Sequence, residues 1–315
     1  MWTACLTWNI NKVVPGPVQS ILVTGANGFL GQHLCAYLSK KGYQITATSR
    51  GPSRLDDSFS GTYISCDLSV EVKVAELIAT VKLDVVIHTA AMSKPDECNS
   101  QKDACYLHNV CSTRYLAEQT KAIKSFFIYT STDFIFGEGG PHGEDDIPDP
   151  LNYYGECKLK AEREVIETGV EHAIVRPVFI YGPTRQVTRP SFVQWVEQNL
   201  KNGKPIKVVG DQCRTPTFVY DICKGILSIL ITKKTGAWHL AGGEILSPFQ
   251  MAVATARLLN LDAGLITEVT SANFPEPVRR AKQSGLKIEK AVREIDYRPT
   301  PFEDGLKKTF NISFR

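Results

Sequence analysis

The chain has 315 residues, of which 43% are hydrophobic and 22% are charged, and its formal net charge is +3. This length predicts one large or two modest domains, and the composition is that of a soluble globular protein. Because the net charge is small and no apolar stretch approaches the length of a bilayer span, we expect no nucleic-acid partner and no membrane partner.

The first residues of the chain contain no clear helix or strand. Residues 1–17 lack the basic region and the long apolar region of a signal peptide. They are predicted to form an N-terminal tail that is dispensable for folding.

Apolar runs typical of strands then alternate with segments of helical period, which is the pattern of a parallel α/β sheet. The first helix is predicted at 29–41 because Leu30, Leu34 and Leu38 share one face, and Gly42 marks its end. The predicted strands lie at residues 20–24, 44–49, 62–65, 84–88, 125–131 and 172–177.

The domain organisation follows from where this alternation stops. After Pro183 it loosens into short elements. We predict a Rossmann-type doubly wound parallel sheet that binds a dinucleotide, formed by residues 18–182 plus 207–235. A second, smaller α/β domain, formed by residues 183–206 plus 236–310, is predicted to bind the substrate.

Cysteine and histidine usage indicates the compartment. The nine cysteines form no C-x-x-C pair, and the six histidines form no metal-ligand pattern. Several cysteines lie inside apolar segments, as buried reduced thiols do. We therefore expect a cytoplasmic protein with no metal site.

A glycine-rich turn, "VTGANGFLGQHL" (23–34), separates the first strand from the first helix. Gly25, Gly28 and Gly31 permit a tight turn and a close backbone approach to a pyrophosphate, which then lies at the helix N-terminus. A glycine triplet in this context is a strong signal for dinucleotide binding. The turn also contributes Asn27, Phe29 and Leu30 to the predicted cofactor site.

The second strand indicates which dinucleotide is bound. It ends at Ser49 and Arg50, and no carboxylate follows until Asp56. An acidic residue here accepts from the ribose 2′-hydroxyl of NAD, whereas an arginine accommodates the 2′-phosphate of NADP. NADP(H) is therefore the predicted cofactor. Residues that end the next two strands complete this part of the site: Asp67, Leu68, Ala90, Ala91 and Ser93.

The stretch "NYYGECK" (152–158) contains two adjacent tyrosines before a lysine. On a helix, residues four apart share a face, so Lys158 pairs with Tyr154, whereas Tyr153 pairs with Cys157. An isolated Y-x-x-x-K is weak evidence. Here it follows a Ser/Thr-rich strand end, "TSTDFIFG" (130–137), at the edge of the sheet where ligands bind.

The order of glycine turn, strand-end hydroxyls and Y-x-x-x-K resembles the extended short-chain dehydrogenase/reductase superfamily over about residues 20–310. Within it, the chain is most similar to the dTDP-4-dehydrorhamnose reductase family. The motifs that carry the likeness are "STDFIFG", "NYYGECKLKAE", "RPVFIYGP" (176–183), "RTPTFVYDI" (214–222) and "WHLAGGEILSPFQMA" (238–252).

The resemblance implies a catalytic set of Thr132, Tyr154 and Lys158. Tyr154 would protonate the ketone oxygen of a substrate while a hydride arrives from NADPH, and Thr132 would hydrogen-bond that oxygen. The charge of Lys158 is expected to lower the pKa of Tyr154, and its amine to hold the nicotinamide ribose. The predicted cofactor site also includes Asn109, Tyr154, Lys158 and Arg176.

Neighbouring positions separate reductases from similar dehydratases, which carry an Asp-Glu pair after the threonine. Here Phe134 follows Asp133, and an aromatic residue is typical of the reductases. Asp133 can bind a sugar hydroxyl or cap a turn, and the sequence does not decide between these roles. Phe179 and Arg214 complete the predicted substrate-binding set. Because the segment 277–286 departs from the family pattern, the nucleotide and the sugar stay open.

Three functions compete at this stage. The first is an NADPH-dependent reductase of a 4-keto sugar nucleotide, and the second is an epimerase that retains NAD. The third is a non-catalytic NADP-binding regulatory subunit resembling that of methionine adenosyltransferase. Arg50 disfavours the epimerase, and the intact catalytic set favours turnover. Two copies of the chain can pair as a homodimer through the helical segments 101–122 and 152–168, although the sequence does not show it.

Overall fold

The computed structural model describes residues 20–186, 190–273 and 277–312. The predicted N-terminal tail lies outside the described residues. The strands are β1 (Ser20–Thr24), β2 (Gln44–Ser49), β3 (Thr62–Ser65), β4 (Val85–His88), β5 (Phe126–Thr130), β6 (His172–Arg176), β7 (Ile180–Tyr181), β8 (Ile206–Val209), β9 (Thr217–Phe218), β10 (Gly236–His239) and β11 (Ile266–Val269).

The α-helices connect these strands. They are α1 (Phe29–Lys40), α2 (Glu71–Thr80), α3 (Pro95–Ser100), α4 (Lys102–Tyr106), α5 (Ser112–Ala122), α6 (Tyr153–Thr168), α7 (Phe192–Lys201), α8 (Val219–Thr232), α9 (Pro248–Leu258), α10 (Glu289–Ile295) and α11 (Phe302–Thr309). A π-helical turn, Leu107–Cys111, joins α4 to α5, and a 3₁₀ turn, Asp133–Ile135, follows β5.

Seven parallel strands form the central sheet in the order β10-β6-β5-β4-β1-β2-β3. The strand order reverses between β1 and β4, which makes their carboxyl ends the place where ligands bind in such sheets. This architecture confirms the predicted Rossmann-type doubly wound fold.

Helices cover both faces of the sheet, so its strands are apolar on both sides. On one face, α1 and α8 pack against a core that includes Ile21, Val23 and Ile87. On the other face, α2, α5 and α6 pack against Leu22, Val86 and residues around them. This double burial explains why β1, β4 and β5 are continuous apolar runs in the sequence.

A smaller α/β unit lies beyond the sheet. Its strands β8 and β11 pair in parallel, and α7 and α9 pack against them around a separate apolar core. The short strands β7 and β9 form a second parallel pair.

The strand pairing differs from the predicted domain boundaries at two strands. Gly236–His239, predicted in the substrate domain, pairs with β6 and extends the central sheet. Conversely, residues 207–209, predicted in the dinucleotide domain, belong to β8 and pair with β11. Both strands are only four residues long, so their neighbours depend on tertiary packing that a local pattern does not contain.

Membrane spans, disulfides and metal-ligand clusters are absent from the described residues. None of their helices is long and apolar enough to cross a membrane. Their eight cysteines are free thiols, and they contain no group of side chains that could hold a metal ion.

The burial of Trp238 in β10 yields a stability prediction. Its side chain is 1% exposed, and its indole Nε1 donates to the carbonyl oxygen of Thr235 at 3.2 Å. Trp238→Ala should lower the free energy of unfolding by about 3–5 kcal/mol through the cavity that it leaves. Urea unfolding followed by circular dichroism measures this loss.

Trp195 provides the matched control. It lies on α7 in the small unit and is 38% exposed. Trp195→Ala should cost far less, because less apolar surface is removed from a buried environment. Equal losses for the two variants would contradict the placement of β10 in the central core.

Candidate active site

The turn between β1 and α1 is packed as a phosphate cradle requires. Gly25 has φ +69°, and a Cβ atom there would lie 2.6 Å from the amide nitrogen of Ala90. A Cβ on Gly31 would lie 2.2 Å from the carbonyl oxygen of Gly25. Helix α1 begins at Phe29 with no side-chain cap and no acidic residue in its first turn. Its N–H groups and dipole therefore favour an anion, and the residues present fit a dinucleotide pyrophosphate.

Asn27 organises the loop that follows β2. Its side-chain Nδ2 donates to the carbonyl oxygen of Pro52 at 2.9 Å and to the hydroxyl of Tyr63 at 3.1 Å. Its Oδ1 accepts from the backbone N–H of Arg54 at 2.8 Å. These bonds fold the loop back on the glycine turn and leave Arg50 exposed. Arg50 lies at the edge of the cofactor groove, which is the crevice at the carboxyl ends of the strands where ligands bind in such sheets. Leu30, also predicted in the site, is buried in the core beneath.

The far end of the groove contains Arg50, Asp67 and a residue absent from the predicted set, His108. Arg50 Nη1 lies 3.4 Å from His108 Nε2. Burial acts to raise the pKa of Asp67, but two hydrogen bonds from Ser69 and the charge of Arg50 outweigh it, so the pKa is lowered. The Ser49 hydroxyl accepts from the backbone N–H of Asn27 at 3.0 Å.

Asn109 positions the loop that follows β4. Its Oδ1 accepts from the backbone N–H of Met92 at 2.8 Å, and its Nδ2 donates to the carbonyl oxygen of Met92 at 2.9 Å. The side chain is thus engaged with the loop, and it holds the backbone near Ala91 and Ser93. The structure gives Asn109 this positioning role, and its direct contact with the cofactor stays a prediction.

Arg176 is also bound by neighbouring side chains. Its guanidinium forms a bidentate pair with Glu162, at 2.9 Å from Nε to Oε1 and 2.7 Å from Nη2 to Oε2. Its Nη1 lies 3.4 Å from the carbonyl oxygen of Glu144 and 3.3 Å from His239 Nε2. Both members of the pair are buried, and buried charges need such partners. Arg176 is therefore engaged within the fold, and its contact with the cofactor stays a prediction.

Thr132 and Asp133 follow β5 directly. The Thr132 hydroxyl caps the 3₁₀ turn by accepting from the backbone N–H of Phe134 at 3.3 Å, and it donates to Asp133 Oδ1 at 3.2 Å. The other carboxylate oxygen of Asp133 accepts from the Ser284 hydroxyl at 2.6 Å. Burial raises the pKa of Asp133, although these bonds and the charge of Arg214 oppose the rise.

Tyr154 faces this cluster, and Tyr153 does not. Helix α6 begins with a cap in which Asn152 Oδ1 accepts from the backbone N–H of Gly155 at 3.1 Å. In its first turn, the Tyr154 ring meets Phe134 edge-on at 5.4 Å. Tyr153 is half-buried, with the ammonium group of Lys102 over its ring at 5.2 Å.

The protonation of Tyr154 differs from the prediction. Burial, followed by the nearby charge of Asp133, raises its pKa, and the contact with the Thr132 hydroxyl opposes the rise. Lys158 instead donates from Nζ to the carbonyl oxygen of Thr130 at 2.7 Å, with Nζ 4.2 Å from the centroid of the Tyr129 ring. Its charge is therefore directed at β5, and the expected lowering of the Tyr154 pKa does not occur.

Lys158 is itself strongly perturbed. It is 2% exposed, and burial lowers the pKa of its ammonium to about 7, although the charge of Glu162 opposes this shift. An amine with such a pKa changes its protonation near neutral pH, as groups in active sites often do.

A pocket opens beside these residues, and a neighbouring basic cleft shares Arg280 with it. The segment 277–286, which departs from the family pattern, forms a wall of both. The pocket is lined by Asp133, Phe134, Phe136, Leu151, Asn152, Arg214, Arg280, Ala281 and Ser284. The cleft is lined by Glu138, Gln212, Ser271, Val278, Arg279, Arg280 and Lys282.

Of the predicted substrate residues, the structure therefore brings together Asp133, Phe134 and Arg214. Phe179 packs against Phe192, with ring centroids 5.6 Å apart, and lies outside the described lining of the pocket. Sequence reasoning missed Arg280 and Ser284. The only signal for them was their membership of a segment that differs from the family pattern.

The chain matches a family model and a known protein over nearly its whole length. The family model described as the RmlD substrate-binding domain matches residues 19–314. The beta subunit of methionine adenosyltransferase 2 from Rattus norvegicus is 30% identical over 309 residues, which cover 95% of this chain and 90% of that protein.

Two solved structures extend the comparison. A dTDP-4-dehydrorhamnose reductase from Yersinia enterocolitica superposes with a TM-score of 0.80 at 28% identity, over 93% of this chain and 99% of that one. A Bacillus anthracis dTDP-4-dehydrorhamnose reductase in complex with NADP shares the fold, with a TM-score of 0.83 at 24% identity, over 94% of this chain and 100% of that one. The resemblance predicted from the sequence motifs is confirmed.

The pKa of Lys158 gives a pH-dependent stability prediction. Folding lowers this pKa from its ordinary 10.5 to about 7, so between these values the unfolded chain binds a proton that the folded chain has released. The contribution of Lys158 to the free energy of unfolding should therefore rise from about pH 7 to pH 10. The melting temperature of the unmutated protein, relative to Lys158→Met, should rise by several degrees over this range.

Lys160→Met is the matched control, because Lys160 lies exposed on the same helix. Thermal melts of this variant should run parallel to those of the unmutated protein as the pH changes. If the difference in melting temperature between the unmutated protein and Lys158→Met stayed constant with pH, this would contradict the lowered pKa of Lys158.

Proposed function

The chain belongs to the RmlD substrate-binding domain family, and on that premise we propose that it is an NADPH-dependent reductase of a 4-keto sugar nucleotide. The observation that carries the proposal is the meeting of Thr132, Tyr154 and Lys158 at the carboxyl edge of the sheet. The glycine turn that fits a dinucleotide ends at this same edge.

The residues are suited to the proton-transfer half of a reduction. When bound, NADPH supplies the hydride. The phenol of Tyr154 is protonated at neutral pH, and burial raises its pKa further. It can still give its proton to the substrate oxygen, because hydride addition makes that oxygen an alkoxide, which is more basic than a phenolate. Lys158, with a pKa of about 7, lies one helical turn away and can return a proton to the site after turnover. Thr132 stands beside Tyr154 to orient the same oxygen.

The surroundings of Thr132 favour reduction over elimination. Elimination needs a second acid–base group next to Asp133, and that position holds Phe134, whose ring packs on Tyr154. Asp133 is already engaged by Thr132 and Ser284. This part of the site therefore has one positioned proton donor toward a ketone, which is what a reductase requires.

A sugar nucleotide suits the charge of the adjoining cleft. Arg279, Arg280 and Lys282 line it and outnumber the one carboxylate of its lining, Glu138, and Arg214 lies in the pocket that it joins. A diphosphate carries negative charge that arginine side chains bind well. The cleft thus supports an anionic substrate whose sugar enters the pocket beside Asp133.

The groove supports NADPH in preference to NADH. Arg50 is exposed at the end of β2, where NAD-binding folds place a carboxylate. The carboxylate that follows in the chain, Asp56, is paired with Arg185. The similar Bacillus anthracis structure contains NADP. An epimerase that retains NAD is disfavoured by the same residues.

A second candidate function rests on the Rattus norvegicus relative. A protein that is 30% identical over nearly the whole chain is a subunit of methionine adenosyltransferase 2. By analogy, this chain would bind NADP and a partner enzyme without turning over a sugar. If no keto-sugar nucleotide causes NADPH oxidation by the unmutated protein, this candidate replaces the reductase.

Location and assembly complete the proposal. The eight free thiols of the described residues suit a cytoplasmic protein, where thiols stay reduced. Helices α5 and α6 pack side by side, and Ile123 and Ile166 near their ends are exposed. Pairing of two copies through these helices stays a prediction.

The cofactor assignment predicts a binding preference. NADPH should bind at least roughly tenfold more tightly than NADH, a difference of about 1.4 kcal/mol. Arg50→Asp should narrow or reverse this preference, because it replaces the phosphate partner with a carboxylate. Titration of each dinucleotide, followed by nicotinamide fluorescence, measures the two affinities.

Arg54→Asp is the control for the charge of the loop, since Arg54 is exposed four residues further on. It should change the preference much less than Arg50→Asp. Equal affinities of the unmutated protein for NADPH and NADH would overturn the assignment.

The catalytic assignment predicts the effect of removing one oxygen atom. Tyr154→Phe keeps the ring against Phe134 but removes the proton, so turnover should fall by about 10²–10⁴-fold. NADPH affinity should stay nearly unchanged. The assay follows NADPH oxidation with a panel of 4-keto sugar nucleotides.

Tyr153→Phe is the matched control on the neighbouring residue. Tyr153 lies toward Lys102, so its hydroxyl should matter little for turnover. An inactive Tyr153→Phe together with an active Tyr154→Phe would show that the proposed mechanism is wrong.

A further inference from the structure

The far end of the cofactor groove is closed from two directions. Arg50 reaches it from the end of β2, and His108 reaches it from the helical segment after β4. The two residues are 58 positions apart in the chain, yet Arg50 Nη1 and His108 Nε2 lie 3.4 Å apart. Asp67, at the end of β3, lies close enough to both for their charges to lower the pKa of its carboxyl.

The backbone around His108 is fixed by its own hydrogen bonds. His108 belongs to the π-helical turn Leu107–Cys111, and its carbonyl oxygen accepts from the Ser112 hydroxyl at 2.6 Å. The next carbonyl, that of Asn109, accepts from the Thr113 hydroxyl at 2.6 Å. A π-helical turn contains one residue more than an α-helical turn, which changes the direction of the side chains around it. Such turns are frequent at functional sites.

The chemistry of the pair determines what His108 can offer. A guanidinium has donors only, so His108 Nε2 accepts from Arg50, and the ring proton is on Nδ1. Burial, and then the charge of Arg50, lowers the pKa of His108, which keeps the imidazole neutral near pH 7. Because the single proton of a neutral imidazole can be on either ring nitrogen, an anion that displaces this contact can accept from Nε2–H of His108 as well as from the donors of Arg50. A phosphate group accepts from both kinds of donor.

We propose that His108 is a cofactor-binding residue that, together with Arg50, binds the 2′-phosphate on the adenosine ribose of NADPH. The inference rests on the cofactor of the proposed function and deepens it by a second specificity-determining residue. Arg50 supplies the positive charge, and His108 supplies a neutral donor from the helical segment after β4. The phosphate then bridges the loop after β2 and the helical segment after β4.

Three variants test this role by direct binding. In His108→Leu the N–H donor is lost, and in His108→Gln the side-chain amide retains one. His172→Leu is the control, because His172 begins β6 and so lies at the amino end of its strand, away from the carboxyl ends where the cofactor is expected. The affinities of NADPH and NADH for each variant are measured by nicotinamide fluorescence, and circular dichroism confirms that each variant is folded.

His108→Leu should weaken NADPH binding roughly tenfold or more, the usual cost of losing a hydrogen bond to a charged group. NADH binding should change less than about twofold, because NADH has no 2′-phosphate. His108→Gln should recover most of the NADPH affinity, and His172→Leu should bind both dinucleotides normally. Combining His108→Leu with Arg50→Leu should cost less than the sum of the two separate losses, because both residues act on one phosphate.

Equal weakening of NADPH and NADH by His108→Leu, or no weakening of either, would overturn the inference. Either result would leave the proposed reductase standing, since NADPH oxidation by the unmutated protein tests that separately. Conversely, selective loss of NADPH affinity in a protein that oxidises no NADPH would support His108 and reject the reductase.

Discussion

The site depends on close backbone contact at the point where β1 and β4 leave the sheet. Gly25 and Ala90 are so near each other that a single Cβ on Gly25 would lie 2.6 Å from a backbone nitrogen. The strand order reverses between these two strands, so their connections diverge to opposite faces and leave a crevice above the sheet. Helix α1 then directs its N-terminus into the crevice, and Asn27 and Asn109 fix the loops on either side. Cofactor binding is thus a consequence of topology before any specific side chain contributes.

The catalytic edge of the sheet is built from buried polar groups that restrain one another. Lys158 of α6 lies over the Tyr129 ring and donates to the carbonyl oxygen of Thr130. Because both partners belong to β5, these contacts fix the position of α6 relative to that strand. The Glu162 carboxylate, one turn further along α6, stabilises the charged form of Lys158 and is itself neutralised by Arg176. Removing one member of such a buried pair leaves a charge without compensation, which is strongly destabilising. This argument explains why Arg176 serves the fold although it lies at a strand end where ligands bind.

The sequence predicted those features that are local in the chain. The six predicted strands of the central sheet, the glycine turn and the choice of Tyr154 over Tyr153 all follow from the spacing of neighbouring residues. The structure places the strands and the turn as expected. It also places Tyr154, and not Tyr153, beside Phe134 and Thr132. Features that depend on distant contacts were not predicted. Ser284 bonds to Asp133 across 151 residues, and His108, in a π-helical turn, meets Arg50 across 58 residues. The pKa of Tyr154 was misjudged for the same reason, since burial and the direction of Lys158 are tertiary properties.

The Asp133–Ser284 bond also connects the turn after β5, which carries Thr132, to the segment 277–286, which lines the pocket. Ser284 lies in the segment 277–286, and the Glu138 carboxylate holds this segment by accepting from the backbone N–H groups of Lys282 and Gln283. Asn152, the cap of α6, donates to the carbonyl oxygen of Arg279 at 2.9 Å. The wall of the substrate pocket is therefore fastened to the same turn and helix that carry Thr132 and Tyr154. Under the proposed function, changes of sequence in this segment would alter which sugar and nucleotide fit while leaving the proposed proton donor, Tyr154, in place. Its departure from the family pattern would then concern the substrate more than the reaction.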